Sequence, residues 1–111
     1  MADLATDSFR SLGPRSAIPP ETVTPFYLDD RKRRVSIAQV DERLFAFDDL
    51  CTCAPEPCPL SAGLLSGTTI MCQCHGSRFD VTSGAVIDGP ATEGLHTYEV
   101  RDVNGTVEIR A

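Results

Sequence analysis

Positive charge is in short supply in this chain. Ten Lys and Arg stand against 16 Asp and Glu, a formal net charge of −6 over 111 residues. A nucleic-acid binder needs a basic surface for its phosphate contacts, so that class is excluded. Tryptophan is absent and histidine occurs only twice. No segment holds a sustained helical period, which argues against an α-helical fold. Long apolar runs are lacking too. The longest charge-free stretch, residues 57–77, contains two Pro, three Gly and three Cys, and would strand polar groups in lipid. The first twenty residues have early acids, no apolar core and no twin arginine, so no secretory leader is read there. A cytoplasmic chain without membrane contact, and a monomer, is expected. Hydrophobic residues at 41% and charged residues at 23% are ordinary globular usage, which excludes wholesale disorder, and the length suits one domain.

Short β-like segments fill the chain after its start. Residues 1–22 are rich in Ser, Pro and Ala without a clear period and are expected to form a partly disordered arm before a domain over 23–111. Strands are predicted near residues 25–28, 35–40, 44–47, 68–71, 85–87, 98–101 and 106–109, with Asn104-Gly105 a strong hairpin signal between the last two. The fold class is therefore all-β. The basic run Arg31-Lys32-Arg33-Arg34 reads as a solvated hairpin tip neutralised by Asp29 and Asp30, the alternative being a docking patch for an acidic partner.

What the chain does have is cysteine. Five are present; Cys51, Cys53 and Cys58 crowd into eight residues, and Cys72 and Cys74 are separated by one. An odd count cannot be satisfied by disulfides within the chain, and clustering points to a metal. The two segments, residues 51–60 and 72–80, each follow a strand-like run, so each offers soft ligands from a loop at a strand end. Pro and Gly stiffen these loops and let backbone N–H groups approach an anionic cluster. Zinc and an iron–sulfur cluster both fit such paired ligands.

Cys72-x2-His75 followed by Gly76-Ser77-Arg78-Phe79-Asp80 resembles the second cluster-binding box of Rieske-type [2Fe–2S] proteins. The run Cys58-Pro59-Leu60-Ser61-Ala62-Gly63 resembles the end of their first loop. Ser83-Gly84-Ala85-Val86 and Gly89-Pro90-Ala91 resemble the next turn and the proline-bearing loop that covers the cluster. The resemblance runs over residues 24–110. It implies a Rieske-like fold of small antiparallel sheets with a two-loop cluster-binding subdomain. It also implies a [2Fe–2S] cofactor, with Leu60, Gly76, Ser77, Phe79 and Pro90 as the cluster's surroundings.

The first box departs from the family. Where the pattern is Cys-x-His, this chain reads Cys51-Thr52-Cys53, and the 54–57 segment is about two residues longer than the family's compact loop. The other histidine, His96, lies in an apparent strand and reads as a surface residue. The favoured ligand set keeps every family position: Cys51 and Cys72 on the inner iron, Cys53 and His75 on the outer. Two alternatives stay open. One uses Cys51, Cys53, Cys72 and Cys74 with His75 spare; the other is zinc held by three cysteines and a histidine. A CDGSH-type cluster ranks lower, since that family spaces its histidine differently. In the high-potential branch of the family, cysteines matching Cys58 and Cys74 form a disulfide, which would use all five cysteines. Two buried free thiols are the alternative that a reducing cytosol favours.

A third thiolate has consequences. Two thiolates and two neutral histidines leave an oxidised [2Fe–2S] site neutral, whereas three thiolates leave it with one negative charge, and an anionic site is harder to reduce. Rieske centres lie at about −150 to +300 mV and plant-type four-cysteine clusters near about −400 mV. A potential between these ranges, nearer the lower, is expected. Phe79 points the same way, because it lacks the tyrosine hydroxyl of high-potential Rieske proteins, while Ser77 can still donate to a bridging sulfide. A single histidine ligand predicts a single pH-linked ionisation. The resemblance implies an electron-transfer protein and not an enzyme: a ferredoxin passing single electrons from a flavin-dependent reductase to an oxygenase, P450-like or other redox enzyme. An oxygenase with its own catalytic iron needs two further histidines and a carboxylate, and only His96 remains. The competing classes are a labile-cluster sensor or cluster-transfer module and a structural zinc domain.

Overall fold

The computed structural model describes residues 9–28, 33–50, 59–73, 76–89 and 91–110. They form ten strands, with no α-helix among the described residues. β1 (Arg10–Pro14), β2 (Thr22–Leu28), β3 (Arg33–Val40), β4 (Arg43–Asp48), β9 (Thr97–Val103) and β10 (Thr106–Arg110) build one sheet in the order β1-β10-β9-β4-β3-β2. β5 (Leu64–Ser66), β6 (Thr69–Met71), β7 (Arg78–Asp80) and β8 (Val86–Asp88) build a smaller sheet in sequence order. Every pairing is antiparallel.

Side-chain alternation assigns each face of the larger sheet to its own core. Val35 and Ile37 of β3 and Ala46 of β4 pack with Ile18, Leu28, Val107 and Ile109. One residue out of phase, Ala38 and Phe47 pack with Leu60, Ile70, Cys72, Phe79 and Val81 against the smaller sheet. In that sheet the register places Leu65, Ile70, Phe79 and Val86 side by side. This apolar row is the wall behind Cys72. β3 is buried on both faces from Val35 to Val40, which makes it the centre of the molecule.

The Asn104-Gly105 turn has positive φ at both residues (52° and 86°), the geometry that two-residue hairpin loops require. One sequence expectation changes. From Arg10 on, the segment assigned to an arm belongs to the domain: β1 pairs with β10, and Ile18 is buried. The Arg101 guanidinium covers the Phe9 ring at 3.9 Å. Arg15 donates to Asp102 (2.9 Å), Gln39 (3.1 Å) and the Glu42 carbonyl (2.6 Å). Gly13 and Pro14 conceal this strand from a propensity reading, because both are poor strand formers and edge strands tolerate them.

The tip of the basic run, residues 29–32, lies outside the described residues; Arg33 and Arg34 are exposed strand residues that open β3. Arg33 donates to the Tyr98 hydroxyl at 2.8 Å, and Arg34 pairs with buried Asp49 at 2.7 Å. Among the described residues their partners are Tyr98 of β9, Asp48 at the end of β4, and Asp49 just past it.

Candidate metal centre

Two strand ends, β4 and β6, open into the cysteine-bearing loops. At the first, Leu50 bridges back to Pro59, which pairs the chain on the two sides of residues 51–58. The return continues into a 3-10 turn, Leu60–Ala62, whose first residue is fully buried. At the second, Cys72 directly follows β6 and ties its own loop: its N–H donates to the Ser77 carbonyl (2.8 Å), and its carbonyl accepts from the Gly76 N–H (2.9 Å). Gly76 has φ +80°, a conformation that side chains resist.

The two roots meet at Gly63. A Cβ there would lie 2.0 Å from the Met71 carbonyl oxygen, so only glycine lets the start of β5 approach the end of β6 this closely. Leu60, Phe79 and Ala91 share one buried cluster with the Cys72 side chain, which is itself fully withdrawn from water. A dry sulfur at a loop root, walled by apolar groups, suits iron–thiolate chemistry. Ser77 is buried, and its Oγ accepts the Ala91 N–H at 3.0 Å, which ties Ala91 to the second loop. That bond uses an acceptor site of the hydroxyl and leaves its proton available to donate.

Of the sequence-predicted residues, the fold brings together Cys72, Leu60, Ser77 and Phe79, with Gly76 on the second loop. Cys51, Cys53, Cys58, Cys74, His75 and Pro90 lie outside the described residues. His96 is exposed, as expected, with its ring edge-on to Tyr98 at 4.6 Å between centroids.

Asp49 escaped the sequence reading. Its carboxylate is fully buried at the foot of the first loop. Oδ1 accepts from Ser36 Oγ (2.5 Å) and the Ser61 N–H (2.7 Å); Oδ2 accepts from Ser61 Oγ (3.1 Å) and pairs with Arg34 Nε (2.7 Å). Four donors saturate a carboxylate, which offsets the cost of burying its charge. Beside it, Asp48 accepts from the Tyr98 hydroxyl at 2.5 Å. Burial first, and then that hydrogen bond, push Tyr98 up to about 12.

A model of the Rieske [2Fe-2S] domain matches residues 9–99. The ferredoxin component of the naphthalene 1,2-dioxygenase system of Pseudomonas putida is 34% identical over 77 residues, 69% of this chain and 72% of that protein. The structure of the Sphingomonas yanoikuyae B1 ferredoxin superposes with a TM-score of 0.83 at 26% identity, over 94% of this chain and 99% of the other. A chain from the complex of reduced oxygenase and oxidized ferredoxin in carbazole 1,9a-dioxygenase gives 0.81 at 26% identity, over 92% of each chain. These ferredoxins carry electrons and are not themselves enzymes. The likeness favours a carrier over a zinc module or a cluster-transfer protein. No described helix is long and apolar enough to cross a membrane. With its sequence matched along most of its length and Cys72 buried at the root of the second box, the chain belongs to the Rieske [2Fe-2S] domain family, as an electron carrier whose cofactor is a [2Fe–2S] cluster.

Proposed function

We propose that this chain is a cytoplasmic ferredoxin that takes single electrons from a flavin-dependent reductase and delivers them to an oxygenase. Its cluster would be held by Cys51, Cys53, Cys72 and His75. The observation that carries the reading is the burial of the Cys72 sulfur beside Leu60 and Phe79, at the root of a loop closed on the Cys72 backbone. The first loop is pinched at Leu50 and Pro59, and its return enters the same apolar cluster through Leu60. Sulfur and imidazole ligands from these two loops suit iron, and a cluster so held supplies a one-electron couple. The protein's own part is to keep water from Cys72, to fix the loop backbone, and to offer the Ser77 hydroxyl as a donor. Cys58 and Cys74, left over by this ligand set, would form a disulfide between the loops.

Iron and sulfide counts with an EPR spectrum of the dithionite-reduced protein test the ligand set. A spectrum of the two-histidine Rieske type would contradict Cys53 ligation, and a four-cysteine spectrum would move the ligand from His75 to Cys74. Thiol titration after denaturation and iron removal, without reductant, reads the disulfide: three reactive thiols support it and five exclude it. Reduction by a flavoprotein reductase, followed by reoxidation on an added oxygenase, tests the carrier role.

A further inference from the structure

We propose that Asp49 is a positioning residue for the cluster: a buried, fully satisfied carboxylate that closes the neck of the first ligand loop and so holds its cysteines in place. The proposal rests on the reading that residues in 51–58 bind the cluster. Six hydrogen bonds or ion pairs converge on this one residue. Four go to its carboxylate, from Arg34 and Ser36 on β3 and from Ser61 on the returning 3-10 turn. Two use its backbone: its N–H donates to the Arg34 carbonyl (2.9 Å), and its carbonyl accepts from the Leu60 N–H (2.5 Å). The outgoing chain, the returning chain and the central strand are thus fastened at a single point.

Burying a carboxylate is costly unless every oxygen is paired, and an apolar residue would fill the same space at less cost. What a carboxylate adds is direction. Its two oxygens hold Ser61 twice, through the amide and the hydroxyl, so the turn cannot rotate about the neck. Arg34 neutralises the charge locally. The Leu60 that Asp49 holds by its backbone belongs to the wall against which Cys72 packs, so the same residue relates the first loop to the root of the second.

The test compares intact holoproteins. Asp49→Asn keeps the shape but removes the charge and turns one acceptor into a donor, which on either oxygen faces a donor-only group, the Ser61 N–H or Arg34 Nε. Release of iron to a ferrous chelator should quicken by about tenfold, the scale of one lost charge-assisted hydrogen bond. The g-values of the reduced protein should shift with it. Val107→Ala, in the opposite core, serves as the stability control. It should lower the melting temperature while leaving release rate and g-values unchanged. Ser61→Ala removes one donor only and covers the case in which the Asn variant does not fold. It should quicken release in the same direction by a smaller factor. Unchanged release and g-values in Asp49→Asn, unchanged release in Ser61→Ala, or equal changes in Val107→Ala would overturn the proposal. Cys53→Ser, measured in parallel, tests the ligand set alone: an unaltered spectrum there would remove Cys53 from the set without touching the Asp49 result.

Discussion

In the proposed ligand set Cys53 takes the place of a family imidazole, and one substitution asks how far a thiolate there would set the potential. Cys53→His removes a negative charge from the proposed site, so the potential should rise into the range of about −150 to +300 mV. It should also gain a second pH-linked ionisation, and a redox titration between about pH 6 and about pH 11 reads both changes. Ser77→Ala acts on stability instead. It leaves the Ala91 amide unpaired in a buried place, which should cost about 1–3 kcal/mol in denaturant unfolding. Tyr98 gives a pH signature. An unfolded tyrosine ionises near about pH 10, whereas in the fold Tyr98 is raised to about 12 by burial and by its bond to Asp48. The native state keeps a proton that the unfolded chain releases. This contribution is therefore complete below about pH 10 and is lost as pH rises toward 12. Tyr98→Phe should show a shallower fall in stability over that window, by on the order of 1 kcal/mol once its half-exposure is discounted. Residue identity carried much of this scale: the spacing of Cys72, Ser77 and Phe79 is readable directly. Asp49 was not, because in the string Phe-Asp-Asp-Leu it looks like any turn acid, and only β3 and the Ser61 turn reveal its burial.

At the scale of elements, alternation made the long strands legible. In β3, β9 and β10 apolar residues that pack into one core recur at every second position (Val35 and Ile37, Tyr98 and Val100, Val107 and Ile109), while β4 reads as a short apolar run, Leu44–Phe47. β5 and β7 are three residues each, too short to display a period, and they exist because β6 lies between them. β1 depends on a sheet edge that forms from the far end of the chain. Gly63 is the element-scale counterpart of Asp49, since it sets how closely β5 approaches the carbonyl just before Cys72. Gly63→Ala would force the backbone apart at a 2.0 Å contact and should cost about 3 kcal/mol, read as a lowered melting temperature. Faster iron release should accompany it, because the displaced strand leads directly into Cys72.

For the whole molecule, net charge and its arrangement matter more than any single contact. At least six of the ten bases are engaged with acids of the same chain: Arg15, Arg33, Arg34, Arg78, Arg101 and Arg110. Pairs of this kind largely cancel at a distance, so the outward field comes from the acids in excess and is negative. Such a field speeds encounter with a basic partner and slows it with an acidic one, mainly through the association rate. It acts over a screening length of about 10 Å at 0.1 M salt and about 3 Å at 1 M. Electron delivery to a basic oxygenase should therefore slow steadily as salt is added at constant pH, in stopped-flow traces of cluster reoxidation under second-order conditions. Reduction by dithionite, a small anion, should instead quicken with salt, because screening relieves its repulsion from the same surface. Opposite salt slopes for the two reactants would separate surface charge from any effect of salt on the cluster itself. Parallel slopes would mean that salt acts at the cluster, and that the acidic surface does not steer the partner.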